Sequence, residues 1–205
     1  MTPEHPLVFV GIVALLTITP GADMAMVARS VFTGGRREAF ATTLGISAGC
    51  FAWACASALG VAALLAASQT AYDALRLVGA VYLIWLGAQT LLAARRGVPP
   101  ADDAAGANRN PFRQGLLTNL FNPKIAVIYS TFLPQFIAPG DSALAVSMVL
   151  ACVHIAIGVV WLSVYAWLLA RAVEAFKGSR LRRALDALTG TVLVALGLRL
   201  AAERR

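Results

Sequence analysis

The chain of 205 residues is 59% hydrophobic and only 13% charged, with a mean hydropathy of +0.74. A water-soluble domain carries about 25% charged residues, so most of this chain faces lipid or other membrane-buried helices. Its formal charge of +7 sits in short basic runs between apolar stretches, which is how topology signals are distributed and argues against a nucleic-acid surface.

The start, Met-Thr-Pro-Glu-His-Pro, carries an acid where a signal peptide has its basic region, so the first apolar stretch is expected to stay as a membrane helix. That stretch, about Leu7 to Ala28, is interrupted at Thr19-Pro20-Gly21-Ala22-Asp23. Proline removes a backbone donor and clashes with the preceding turn, and in lipid such a break survives only where protein or a wet cavity satisfies the freed groups. The second span lies within Ala39 to Tyr72, a stretch without charge. In it Ala41, Gly45 and Gly49 recur every four residues, either as a stripe that admits a second backbone or as a product of alanine-rich composition. The third span is Leu75 to Ala94, closed by Arg95-Arg96 and Pro99-Pro100.

A polar linker follows at 97–112. The fourth span, Gln114 to Phe136, carries the second break, Asn119-Leu120-Phe121-Asn122-Pro123-Lys124. The fifth lies within Ser142 to Ala170 and holds His154, Trp161, Tyr165 and Trp167; the sixth is Ala184 to Ala202. Asp186 and Arg199 in that last span must snorkel or face protein. The cysteines, Cys50, Cys55 and Cys152, all lie in apolar segments and read as small core residues, not as a disulfide framework.

The order of features repeats: a broken helix, a long uncharged one, a shorter one. Leu75, Gly79 and Leu86-Gly87 in the third span are matched by Leu185, Gly190 and Leu196-Gly197 in the sixth. Two three-span units inserted in opposite orientations form an inverted repeat, a build common in secondary transporters. The expected fold is an all-α membrane protein, one domain over 1–205, with six transmembrane helices. They form two inverted three-helix repeats of about 1–96 and 113–205, with the first helix of each broken, at Pro20 and at Pro123. Twelve basic residues fall on three links: Arg29, Arg36 and Arg37; Arg95, Arg96, Arg109 and Arg113; Arg171, Lys177, Arg180, Arg182 and Arg183. The other side receives four, Arg76, Arg199, Arg204 and Arg205, with Lys124 left inside. The bias places the three links, including 97–112, in the cytoplasm and both termini outside.

Asp23 and Lys124 are costly at membrane depth, by roughly 2.5–3.5 kcal/mol each on insertion scales, and so make a site. Asp23 serves either as a coupling or substrate-ammonium group whose protonation follows a cycle, or as a cap on the helix break. Lys124 either receives a substrate carboxylate or neutralises Asp23. The restarts after Pro20-Gly21 and Pro123 offer N–H groups and a positive dipole end. Asn119 and Asn122 line the same opening or pack between helices. His154 is a titratable group or a packing residue. Arg29, Arg36 and Arg37 read mostly as topology determinants, with Arg29 the one of the three expected to contact the site. The aromatics of the fifth span read as interfacial or packing groups.

With their order and spacing, these residues resemble the LysE/RhtB family of amino-acid exporters over nearly the whole chain. The pieces are Pro20-Gly21-Ala22-Asp23 with Arg29 and Gly34-Gly35-Arg36-Arg37; Leu77 to Leu83 with Trp85-Leu86-Gly87; Phe112-Arg113-Gln114-Gly115; Asn119; Asn122-Pro123-Lys124; and Phe132-Leu133-Pro134-Gln135-Phe136. Ala22 stands where many members have a second proline, which leaves a less rigid break. The resemblance implies export of amino acids or close derivatives across a bacterial inner membrane, with proton antiport the expected drive. The partners are then a small amino-acid substrate and the bilayer, with room for a homo-oligomer. No phosphate loop is present, so no bound cofactor is expected, and no motif of an intramembrane enzyme appears. Metal-ion export by a related fold and a non-transporting membrane subunit are the alternatives.

Overall fold

The computed structural model describes residues 6–60, 68–96, 110–138, 140–175 and 179–202. Their regular elements are all helices: α1 (Pro6–Ile18), α2 (Ala22–Ala58), α3 (Gln69–Arg96), α4 (Pro111–Leu120), α5 (Pro123–Val127), α6 (Ala143–Ala175) and α7 (Ser179–Ala202). After α5 the chain continues as a π turn, Ile128–Phe132, and a 3-10 turn, Leu133–Phe136. By length and composition α2, α3, α6 and α7 could each cross a membrane, and α1 is a shorter apolar helix. The 97–112 linker lies outside the described residues as far as 109, and so do Lys177, Arg204 and Arg205.

Both expected breaks are present. α1 stops at Ile18 and α2 starts at Ala22; α4 stops at Leu120 and α5 starts at Pro123. A third interruption divides α2. Its 37 residues, at about 1.5 Å each, would be far longer than a hydrocarbon core of about 30 Å. At Gly34 and Gly35 the helix leaves helical geometry, and Gly35 takes φ +70°, a conformation that only glycine adopts without strain. Thr33 Oγ1 donates to Glu38 Oε2 at 2.9 Å across this turn, and Arg36 and Arg37 flank it, exposed. The arm from Ala22 to Thr33 thus runs from the first break to the glycine turn.

That arm is the centre of the molecule. Val27, Ala28, Val31 and Phe32 pack on Leu162, Ala166 and Ala170 of α6. Ala22, Ala25 and Met26 pack on Ala80, Leu83 and Leu86 of α3 and on Leu193 and Leu200 of α7. A separate core joins Phe9 and Val13 of α1 to Trp53, Tyr129, Leu133 and Leu150. Outward-facing Leu15, Val81, Val160 and Leu188 are exposed, as lipid-facing side chains are.

The small-residue stripe decides how α2 meets α4. A Cβ on Gly45 would lie 2.8 Å from the Phe112 carbonyl carbon and 2.9 Å from Leu116 N, so only glycine allows this approach. Gly49 likewise abuts Asn119, and Gly115 abuts Thr42, so the two helices run parallel. α3 and α7, which carry the matched third-span features, pack antiparallel: Gly87 faces Gly190, and Gly197 faces Ala80 and Ile84.

Candidate functional site

The first break is completed by the second. Pro20 has no N–H, so the carbonyl of Leu16 loses the donor that an unbroken helix would supply. Lys124 takes its place: Nζ donates to Leu16 O and to Thr19 O, each at 3.1 Å. The ammonium therefore closes the C-terminal, partially negative end of α1. Lys124 is aimed by its own cap, because Asn122 Oδ1 accepts from the Lys124 backbone N–H at 3.1 Å and Pro123 fills the first helical position. The N–H at this restart is therefore already used, whereas Gly21 gives the start of α2 no side-chain cap.

Asp23 lies in the first turn of α2, where the helix dipole favours an acid. Its Oδ2 accepts from Asn119 Nδ2 at 3.1 Å, and the same Nδ2 lies 3.4 Å from Cys50 Sγ. Asp23 and Lys124 line one cavity together with Gly21, Cys50 and His154. They form no ion pair with each other; a salt bridge joins Arg76 to Asp73 instead, at 3.3 Å. Each charge is held by uncharged groups, Asp23 by Asn119 and Lys124 by two carbonyls. Three buried atoms at this junction have no hydrogen-bond partner: Asp23 Oδ1, Asn119 Oδ1 and Asn122 Nδ2. Buried polar groups are nearly always paired, so such a group needs an explanation. The cavity offers about 40 Å³ to water centres, room for about two or three waters and too little for a whole amino acid.

Gly21 and Lys124 also line a larger vestibule of about 250 Å³, bounded by both breaks, Leu83, Leu196, Arg199 and Leu200. A third space of about 430 Å³, almost wholly apolar, opens between the Ala22–Thr33 arm, α6 and α7 and shares Gly21 and Met24 with the central cavity.

The remaining expected residues fall in different places. His154 is buried against the cavity wall, with Nδ1 3.0 Å from the Tyr129 hydroxyl. Arg29 is not a link residue. It is 2% exposed inside α2 and donates from Nε to Thr90 Oγ1 and from Nη1 to Gln114 Oε1, both at 2.9 Å, which ties the arm to α3 and α4. Of the cysteines, Cys50 is a cavity residue, and Cys152 is exposed on the outer face of α6 instead of packed in the core. Trp167 carries the Arg171 guanidinium over its ring at 4.9 Å. Tyr129, Thr90, Gln114 and Arg199 were not singled out as site residues from the sequence. Thr90 is visible only as a polar residue in an apolar span, Gln114 only as part of the Phe112-Arg113-Gln114-Gly115 piece, and the π turn that aims Tyr129 has no sequence signature.

Comparison with known proteins assigns nearly the whole chain: the model of the LysE type translocators matches residues 14–204. The chain belongs to the LysE family. It is 27% identical to the membrane protein YrhP of Bacillus subtilis, over 94% of this chain and 96% of that one. It is 30% identical to the homoserine/homoserine lactone efflux protein of Salmonella typhimurium, over 93% and 92% of the two chains. With the threonine efflux protein of Escherichia coli K12 it shares 28% identity over 95% of each. No solved structure matches it. A LysE type translocator is a transporter, and in this family member the two helix breaks meet at one polar junction.

Proposed function

We propose that this LysE family protein is a secondary transporter that exports amino acids or close derivatives across a bacterial inner membrane. The observation that carries this reading is the set of unpaired polar atoms where the two breaks meet. Asp23 Oδ1 and Asn119 Oδ1 are acceptors without donors, which suits a substrate ammonium. Asn122 Nδ2 is a donor without an acceptor, which suits a carboxylate. A zwitterionic amino acid supplies both. Relatives named for the efflux of homoserine and threonine support the same substrate class.

The chain acts as one domain of two inverted repeats, about 1–96 and 113–205, making six crossings with both termini outside. α1 with the Ala22–Thr33 arm is the first crossing, and the rest of α2 is the second. The parallel packing of α2 on α4 and the antiparallel packing of α3 on α7 fit this topology. Since the central cavity is smaller than any amino acid, loading requires the arm to shift against α4 or α6. Proton antiport supplies the drive, with Asp23 alternating between proton and substrate.

The test is export from dipeptide-loaded cells. Wild-type protein should lower at least one internal amino acid, and Asp23→Asn, which keeps the shape but cannot titrate, should abolish that while leaving the protein in the membrane. Normal export by Asp23→Asn at every pH tested would remove Asp23 from the coupling role. Reporter fusions after Arg96 and at Arg205 should fall on opposite sides of the membrane.

A further inference from the structure

The glycine turn of α2 lies beside a space that the transport reading does not use. It has a volume of about 220 Å³ and is walled by Arg36, Phe40 and Thr43 of α2 and by Ser163, Ala166 and Trp167 of α6. Two exposed apolar stripes lead into it. On α2, Phe40, Leu44 and Phe51 follow Arg36 at helical spacing; on α6, Val160, Val164 and Trp167 precede Arg171 in the same way. The two helix segments run in opposite directions: Trp53 shares a core with Leu150, Ile46 shares one with Leu162, and Phe40 meets Trp167 at the space. Each stripe therefore ends in an arginine at the same end of the molecule. Both arginines are exposed, and the Arg171 guanidinium lies over the Trp167 ring at 4.9 Å, at the rim of the space. Tryptophan rings and the heads of long basic side chains gather at the headgroup level of a bilayer. From Arg36 to Phe51 the helix rises about 22 Å, more than half of a hydrocarbon core of about 30 Å.

We propose that this space binds the headgroup of an anionic phospholipid, with the phosphate held by Arg36 and Arg171 and an acyl chain laid along the stripes. A guanidinium offers a phosphate two parallel N–H donors, and Ser163, half-buried on the same wall, adds a hydroxyl. A net negative headgroup gains from both cations, whereas the ammonium of a zwitterionic lipid offsets that gain. The stripes favour a lipid over a soluble anion, because they run from the arginines into the depth that acyl chains fill. Ala166 belongs both to this wall and to the core that seats the Ala22–Thr33 arm. The lipid thus joins the Gly34-Gly35 turn to α6 beside the arm. The inference needs only the membrane placement of the chain and is independent of what the protein transports.

Native mass spectrometry of the full chain in neutral detergent reads the binding, with phosphatidylglycerol and phosphatidylcholine of the same acyl chains as probes. The wild type should hold one phosphatidylglycerol at least about fivefold more tightly than phosphatidylcholine, as expected for one added charge contact at a membrane surface. Arg36→Gln and Arg171→Gln should each weaken phosphatidylglycerol by about fivefold and leave phosphatidylcholine nearly unchanged. Arg36→Lys should keep part of the preference. Arg37→Gln is the control: it removes the same charge from the same turn but from outside the space, and should change binding by less than about twofold. Unfolding midpoints in lipid-free detergent show which variants are folded, and if Arg36→Gln is not, Arg171→Gln on the other helix decides. Equal binding of the two lipids by wild type overturns the proposal. So does a loss in Arg37→Gln as large as that in Arg36→Gln or Arg171→Gln, which would mean diffuse surface charge. Glycerol phosphate, the headgroup without chains, should not compete at the lipid's concentration; full competition would make this a soluble-anion site and overturn the lipid assignment.

Discussion

Gly45→Ala is the smallest change that should disturb the site from a distance. The new Cβ would sit 2.8 Å from the Phe112 carbonyl carbon and 2.9 Å from Leu116 N, both backbone atoms. Ordinary carbon contacts are about 3.5–4.0 Å, so α2 and α4 must separate locally by about 0.7 Å or more. Overpacking of this kind costs about 1–3 kcal/mol. The movement also reaches Asn119, one helical turn on, whose bond to Asp23 is 3.1 Å. An added 0.7 Å, about the displacement above, takes that bond past the range of a real hydrogen bond. Gly158→Ala is the control, because nothing lies within 4 Å of the Cβ it would add. Alanine is the better helix former by about 1 kcal/mol, so the control should be neutral or stabilising. Denaturant titration in mixed micelles measures both variants, and efflux assays run beside it. Gly45→Ala as stable as Gly158→Ala, with normal efflux, would refute the close approach of α2 and α4.

Lys124→Met removes the two bonds that close α1 and should cost about 1.5–3 kcal/mol for each, measured by the same titration. Because Lys124 and Asp23 line one cavity without forming an ion pair, Asp23→Asn combined with Lys124→Met should show a coupling at the low end of the range for a shared cavity, about 0.5–1 kcal/mol, and should not restore protein level; full recovery would reveal direct pairing. Tyr129→Phe leaves His154 Nδ1 buried without its partner and should destabilise by about 1–3 kcal/mol, whereas Tyr129→Phe with His154→Phe should recover much of that loss. Arg29→Lys keeps the charge but not the fork to Thr90 and Gln114 and should cost about 1–3 kcal/mol; an unfolding midpoint equal to wild type would show that the tie carries no load.

The sequence by itself determined that this is a helical membrane protein, where its helices are interrupted, and to which family it belongs. Those properties are local: apolar run length, a proline without a donor at position 20 or 123, and glycines at 45 and 49 that leave room for another backbone. It also marked Asp23 and Lys124, because an isolated charge in an apolar span stands out without knowledge of its surroundings. What each charge touches was decided only by the tertiary structure. Opposite charges in matched breaks suggested an ion pair, but the carbonyls of Leu16 and Thr19, orphaned by Pro20 and the break, are nearer acceptors for Lys124, and Asn119 answers Asp23. Arg29 read as a topology residue because positive charge near a span end usually is one; its burial depends on Thr90 and Gln114, 61 and 85 residues away. Arg199 followed the same rule in reverse, a basic residue near a helix end that packing brings to the wall of the vestibule. Hydrogen-bond partners so distant in the chain leave no periodicity to read, since they are chosen by which backbone groups the breaks leave unsatisfied.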